Sequence, residues 1–482
     1  MPIIAYRRRS PSPAVITVFA SFLFFGASAA GFISSTDPPT AWKYIDKDLT
    51  VVIRRDAAGE WIAERSDGKR PAYREVERTD EHVVLQNKET KLFVRLTADR
   101  AFWRRPSETD WTTWVKGSWV ADATPPESPS TSNTRRIQLA YFVPRDRRPT
   151  TDYERKIRVV MAVVADLYRS DLRSKGYKTA GLSFESNNGA PTIQLVKGDR
   201  DARHYNNAPA YDADEQWKRL LPEIRSKVGD TNKRIIVVFA ENYDDGPAAH
   251  LWPGVIARGA YFTADGGLAV FSAHLLRDQF SAATPAALRE LFFDRTPVTG
   301  RKAWGHPMNS PRGAFAEDGV GAVAHELGHA LGLPHDRRDD ASDVMGNGFR
   351  NLRWNSGGGG RKVRFSEENA RLLMSSRYLN DELDVTDDET PIVEAKFAGA
   401  GARGTINVKA TDDRGLRAYV LVDRTKGSVV AGGTLKGKTA EFKEPRRDAG
   451  GKSPSQTYQL IVTDSGGHQT RTNIGAAKSK KN

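Results

Sequence analysis

The sequence predicts an α+β central domain set between two all-β modules, and three observations predict it. Residues 40 to 120 form a series of short alternating strands. Residues 134 to 381 mix strands with helices of regular apolar spacing, and residues 390 to 475 return to alternation broken by Asp/Gly turns. A chain of 482 residues suits about three domains at a prior of roughly 150 residues each. With 39% hydrophobic and 28% charged residues it has the apolar material of folded globular domains.

Residues 1 to 29 read as an export signal peptide: Arg7, Arg8 and Arg9, the apolar run from Ala14 to Phe25, then the small-residue site Ala27-Ser28-Ala29. The expected location is therefore secreted or in the cell envelope. The competing reading is an uncleaved anchor, because the weakly apolar stretch from Ala14 to Ile33 is about as long as a bilayer span; no later segment is. Cleavage would remove three arginines and no acids, lowering the formal charge from +13 to +10. A basic exported chain suits an anionic cell-wall or glycan surface, and nucleic acid is not an expected partner. The chain has no cysteine. No disulfide can staple it and no thiolate can bind a metal, so any metal site must be built from His, Asp and Glu.

In the first module, "TVVIRR", "EWIAERSDGKRPAYREV" and "HVVLQNKETKLFVRL" are strand-like, Leu92, Val94 and Leu96 alternate, and Asp67-Gly68 signals a hairpin. Its "W…DGK…EV…VVLQ…VRL" rhythm resembles the SH3-like barrels attached to some bacterial exported proteins; a removable prodomain is the other role open to it. Six of the ten tryptophans precede residue 120. They are expected in core and hairpin packing more than on a glycan-stacking face. Residues 121 to 133, rich in Pro, Ser and Thr, read as a linker.

Behind the linker, "RIQLAYFV" predicts a strand, and from Thr151 the positions Tyr153, Ile157, Val160, Met161, Val164, Leu167 and Tyr168 predict a helix. "TIQLV", a helix around Asp214 to Ile224, and the apolar strand "RIIVVFA" follow. "FSEENARLLMSSRYL" predicts a helix capped by Ser366. The acidic run Asp381 to Glu389 reads as a solvated linker, with calcium the ion it would take if it folds into a site. The last module, with "TINVKATDDRGLRAYVLVD" and "TYQLIVTDSGGHQT", resembles the Ig-like β-sandwiches that end many bacterial secreted proteins.

The chemistry concentrates in "VAHELGHALGLPHD" and the nearby "DVMG". On a helix, His325 and His329 stand a turn apart on one face, which suits two nitrogens on one zinc ion. Glu326, rotated about 100° from His325, reaches a water beside the metal without binding the metal itself. Gly332 accepts a left-handed conformation and lets the chain turn so that His335 becomes a third ligand. Three protein ligands leave one position for water, the mark of a catalytic zinc. The competing reading is chance and core packing. HExxH alone arises in roughly one chain in a hundred of this kind, and with the added Gly and His in on the order of one in fifty thousand. Three core histidines would also need several polar nitrogens satisfied.

The pattern HExxHxxGxxHD with a following methionine turn resembles the metzincin clan of zinc endopeptidases, with reprolysin, matrixin and pappalysin features. The resemblance implies a zincin-like (metzincin) catalytic domain over residues 134 to 381. It implies one zinc ion on His325, His329 and His335, Glu326 as general base, Met345 as the hydrophobic floor, and Asp336 and Gly332 as structural supports. It further implies that "GGLAVFS", with Leu268, Ala269 and Val270, is the edge strand that holds the substrate main chain. The expected function is a secreted zinc metalloendopeptidase acting on extracellular or envelope proteins. Two alternatives stand beside it: a third ligand from Glu367 or Glu368, and a catalytically spent zinc-binding adhesion or glycan-binding protein.

Overall fold

The computed structural model describes residues 41–46, 49–55, 61–65, 71–79, 81–120, 134–187, 189–244, 254–357, 359–398, 404–445 and 457–475. The export signal of residues 1 to 29, the Asp67-Gly68 turn and the linker of residues 121 to 133 lie outside them. By contacts the chain divides into residues 1–128 and 129–482.

The first unit is a closed barrel of eight antiparallel strands: β1 (Ala41–Asp46), β2 (Leu49–Arg55), β3 (Trp61–Arg65), β4 (Ala72–Arg78), β5 (Val83–Asn87), β6 (Phe93–Leu96), β7 (Arg100–Arg104) and β8 (Thr112–Val120). Each strand pairs with the next, and β1 closes on β8 with Ala41 opposite Val120. Alternation places one side-chain row inside, where Trp42, Ile53, Trp61, Leu85, Leu96 and Ala101 are fully buried. Buried indoles need partners for their N–H. Trp42 Nε1 donates to the Thr97 carbonyl at 2.8 Å and Trp61 Nε1 to Glu75 at 2.7 Å. Gly117 leaves room for the Trp42 ring, which a Cβ there would strike. On the outside, Trp111 lies between the guanidiniums of Arg95 and Arg104, at 4.2 and 4.9 Å.

The second unit is organised on a five-stranded mixed sheet. Its elements are β9 (Gln138–Val143), α1 (Tyr153–Ser174), the short pair β10 (Ser186–Asn187) and β11 (Ala190–Pro191), β12 (Ile193–Lys197), α2 (Ala202–Tyr205), α3 (Ala213–Lys227), β13 (Ile235–Ala240), β14 (Ala257–Thr263), β15 (Gly266–Ser272), α4 (Pro285–Leu291), α5 (Arg312–Ala330) and α6 (Glu367–Leu373). The strand order is β12-β9-β13-β15-β14, parallel except for β14, which runs antiparallel at one edge. Strands β9 and β13 are buried along their whole length. That is why they read as unbroken apolar runs: both faces are covered. Leu139, Tyr141 and Val237 face α1 and α5, whereas Ala140, Phe142 and Ile236 face Trp217, Leu220 and Ile224 of α3.

Helix α5 carries the histidine motif and is buried on most of its circumference, as a helix in the middle of a domain must be. Its backbone approaches β14 so closely that a Cβ at Gly259 would collide with the Glu326 carbonyl. From the other side, Tyr168 of α1 donates its hydroxyl to the Ala324 carbonyl at 2.7 Å.

The chain ends in β16 (Ile392–Ala398), β17 (Thr405–Thr411), β18 (Leu416–Asp423), β19 (Ser428–Thr434), β20 (Thr439–Pro445), β21 (Tyr458–Asp464) and β22 (Gln469–Ile474). They form a three-stranded sheet, β16-β17-β20, and a four-stranded sheet, β19-β18-β21-β22. Ile406 and Val408 of the first and Leu421, Leu460 and Val462 of the second share one core. The four-stranded sheet has a second dry face: Val420, Val422, Val429 and Ile461 join the core that contains α1 and α5. These strands are therefore part of the central body, and one core runs through both.

The expected fold class, an α+β chain centred on a zincin-like (metzincin) domain, is corrected by this architecture. The described residues hold twenty-two strands against six α-helices, three of them of seven residues or fewer, and the chain opens with a closed eight-stranded barrel. The reason is physical: histidine spacing reports the geometry of one helix and its exit turn, and carries nothing about the sheets around them. Among the described residues no helix is long and apolar enough to cross a membrane.

Candidate metal centre

The last turns of α5 bring His325 and His329 to one face, and the helix stops at Ala330. Gly332 then adopts φ +93°, a conformation that L side chains avoid. The Leu333 N–H bonds back to the Gly328 carbonyl at 2.9 Å, which closes the turn. The reversal returns His335 to the helix. Ligand nitrogens of His325, His329 and His335 lie within 4.8 Å of one another, and the Nε2 atoms of His329 and His335 are 3.1 Å apart.

Backbone carbonyls orient two of the rings. His325 Nδ1 lies 2.7 Å from the Val344 oxygen and His329 Nδ1 2.8 Å from that of Leu333, so each Nδ1 carries the proton and leaves Nε2 with its lone pair. Burial, then the neighbouring imidazoles, hold His325 well below the usual histidine range and His329 at about 4. His335 is lowered by burial and by Arg337. Neutral rings with lone pairs turned together form a nitrogen donor set that fits a zinc ion.

Glu326 follows His325 on the helix, and its carboxyl accepts a hydrogen bond from the Gly259 N–H of β14. Burial raises its carboxyl to about 7, against the lowering effects of a backbone hydrogen bond from Gly259 and the charges of Arg258 and Arg350. Arg350 is itself held 2.9 Å from Asp318 and 4.0 Å over the Phe349 ring. A carboxyl balanced between its two protonation states can both accept and return a proton.

Beneath the helix, Met345 is fully buried, and its sulfur would stand 2.5 Å from a Cβ at Gly328. Its carbonyl accepts from the Asp336 N–H at 3.0 Å, which joins the methionine turn to the ligand loop. Asp336 is buried and grips Arg338 through both carboxylate oxygens, and Arg338 continues to Glu368. Glu368 is thus engaged outside the histidine cluster. Asp343, which accepts from the Met345 N–H, has its carboxyl raised to about 8 by burial and by Asp336.

The expected substrate strand needs correction. Leu268, Ala269 and Val270 are fully buried in β15, whose two backbone edges are already paired with β13 and β14. Among the described residues the edge next to β15 belongs to β14, which has no strand on its outer side and touches Glu326 through Gly259. On this edge strand Arg258, which the sequence did not single out, pairs with Asp214, and Tyr261 lies under the guanidinium of Arg471 from β22. Arg471 also donates to the Gly332 carbonyl at 2.6 Å, and the Val429 N–H of β19 donates to the His335 carbonyl at 3.0 Å. The C-terminal strands therefore hold the loop from Gly332 to His335 from outside. The Tyr378 hydroxyl donates to the Asp265 carbonyl and accepts from the Ile235 N–H.

No family model matches the sequence, and no curated protein does. Among solved structures the chain is similar to OgpA from Akkermansia muciniphila. A catalytically inactive form in complex with an O-glycopeptide (glycodrosocin) substrate overlaps with a TM-score of 0.47 at 16% identity, covering 71% of this chain and 92% of that one. Wild type OgpA in two crystal forms overlaps with a TM-score of 0.46 at 16% identity, covering 71% of this chain and 93% and 92% of those chains. Overlap of this extent carries no conclusion about activity.

Proposed function

We propose that this chain is a secreted, zinc-dependent endopeptidase that hydrolyses peptide bonds in extracellular or cell-envelope proteins. The observation that carries the reading is the convergence of three neutral imidazoles beside a carboxyl whose proton affinity lies near neutrality. The resemblance of the ligand pattern to that of the metzincin clan agrees with it. His325, His329 and His335 would hold the ion, and zinc in that position supplies Lewis acidity, polarising a carbonyl and making water a nucleophile near neutral pH.

The remaining work falls to the chain itself. Glu326 takes a proton from the attacking water as its oxygen bonds to the scissile carbonyl carbon, then delivers that proton to the leaving nitrogen as the C–N bond breaks. The open edge of β14 is suited to an extended peptide, whose main chain would pair with it as an added strand. Gly259 lets that strand lie close to α5, so a paired peptide passes beside Glu326. The excess of basic residues favours acidic or wall-associated substrates.

The deciding experiment compares cleavage of a mixed protein substrate by wild type and Glu326→Gln at matched zinc content. The expected result is a fall in kcat of about 10²–10⁴-fold with zinc retained. If the folded, zinc-loaded wild type cuts no peptide bond, the endopeptidase reading fails and a zinc-binding adhesion or glycan-binding protein takes its place.

A further inference from the structure

We propose that the second unit contains another metal site, for a hard divalent cation of the calcium class. It lies where the chain enters the C-terminal strands and is formed by the carboxylates of Asp387 and Asp464, with Asp412 beside them. Asp387 belongs to the segment before β16, Asp412 follows β17, and Asp464 ends β21. All three are in the interior, at 2%, 9% and 0% exposure.

Each carboxylate is anchored through one oxygen and leaves the other bare. Asp464 Oδ1 accepts from the His468 N–H at 2.8 Å. Asp412 Oδ1 accepts from the Arg414 and Gly415 N–H groups at 3.0 and 2.6 Å. Asp387 Oδ2 accepts from the Ser465 hydroxyl at 3.3 Å. The remaining oxygens, Asp464 Oδ2, Asp412 Oδ2 and Asp387 Oδ1, are buried without a hydrogen-bond partner. A buried, unpaired carboxylate oxygen is costly, and three together repel one another. Asp387 is pushed upward by burial first, then by Asp464 and Asp412.

The nearby cations do not relieve this. Arg377 spends its donors on the Gly466 and Asp387 carbonyls, on Asp265 and on His468 Nε2. Arginine only donates, so Nε2 of His468 is the accepting nitrogen and Nδ1 carries the hydrogen. That Nδ1 stands 3.3 Å from Asp464 Oδ2 without the alignment a hydrogen bond requires, and as an N–H it is no metal ligand. The Arg414 side chain turns to Asp384 and Asp413.

A small hard cation between Asp387 and Asp464 would pair with the bare oxygen of each. Ligand oxygens of Asp387 and Asp464 lie within 4.8 Å of each other, about twice the 2.3–2.6 Å reach of a calcium–oxygen bond. Carboxylate-rich donor sets favour calcium over softer metals. Glycine makes the approach feasible, since a Cβ at Gly466 would press on the Asp387 side chain at 2.6 Å. The ion would clamp the segment before β16 to the β21–β22 turn, and β22 is the strand whose Gln469 and Arg471 meet Gly332.

The test is thermal unfolding and calorimetric titration of the full chain with calcium chloride, for wild type, Asp387→Asn and Asp464→Asn. Wild type is expected to gain several degrees in Tm at millimolar calcium and to bind one ion. The two variants are expected to lose that response, while unfolding in calcium-free buffer no lower than wild type because repulsion has been relieved. His329→Ala is expected to keep the response, which separates this site from the histidine cluster. A wild type that shows neither shift nor heat overturns the proposal, as does an equal response in both Asn variants. A response to zinc alone that His468→Ala abolishes overturns the assignment to a hard cation.

Discussion

His325, His329 and His335 come from one helix and the turn that ends it, whereas Asp387, Asp412 and Asp464 come from three segments that meet only when the C-terminal strands are in place. The donors differ as much as their origins. In the first cluster, backbone carbonyls fix the tautomers and burial keeps the rings neutral, so the nitrogens converge without repelling one another. In the second, backbone N–H groups fix Asp464 and Asp412 and the Ser465 hydroxyl fixes Asp387, and their like charges oppose assembly until a cation joins them. The first arrangement suits a metal that does chemistry with an open position; the second suits an ion that holds strands together.

The largest expected effect that could break this contrast is on zinc. His329→Ala should lower bound zinc, measured by elemental analysis, from one ion per chain to none, with loss of peptide cleavage. Asp464→Asn should leave both intact. Zinc retained in the first variant or lost in the second would end the division of labour.

A smaller effect sharpens it at the loop. Gly332→Ala must place a Cβ at φ +93° and within 2.5 Å of the Gln469 side chain. A cost of about 1–3 kcal/mol in urea unfolding is expected, with weaker zinc binding. Gln469→Ala in the same chain should recover the contact part of that loss and leave the backbone part. Full recovery would mean that the left-handed turn is not what Gly332 provides.

The smallest effect is a pH dependence beneath the metal loop. The Asp343 carboxyl is raised from 3.8 to about 8 by burial first and Asp336 second. The folded state holds this proton more tightly than the unfolded chain, so its contribution is complete below about pH 3.8 and is lost as pH rises to about 8. Asp343→Asn should therefore flatten the decline of Tm between pH 5 and pH 9 relative to wild type. Parallel curves for the two proteins would show that Asp343 is not buried as a proton donor.

Legibility followed the range of the interactions. The histidine cluster could be read because its ligands lie within eleven residues on one helix and one turn, where spacing alone sets direction. The acidic run of residues 381 to 389 read as solvated because the partners of Asp387 lie far along the chain, at Asp412 and Asp464. Strand order was equally hidden. β15 reads as an isolated apolar strand, and only its pairing with β13 and β14 shows that it has no edge to offer. The α+β expectation weighted the long helices, the amphipathic α1 and the apolar α5, above the many short strands that dominate the chain. The C-terminal strands looked like a detachable module since their outward valines, Val420, Val422 and Val429, fit either an edge or a buried second face.

That second face sets an order of events during synthesis. His335 leaves the ribosome long before Val429, yet its carbonyl and that of Gly332 are held by Val429 and Arg471. The histidine loop thus waits for the last strands of the chain before its geometry is complete. A nascent chain arrested before Ser428 is expected to bind zinc weakly and to cut nothing, and one released past Ile474 to do both.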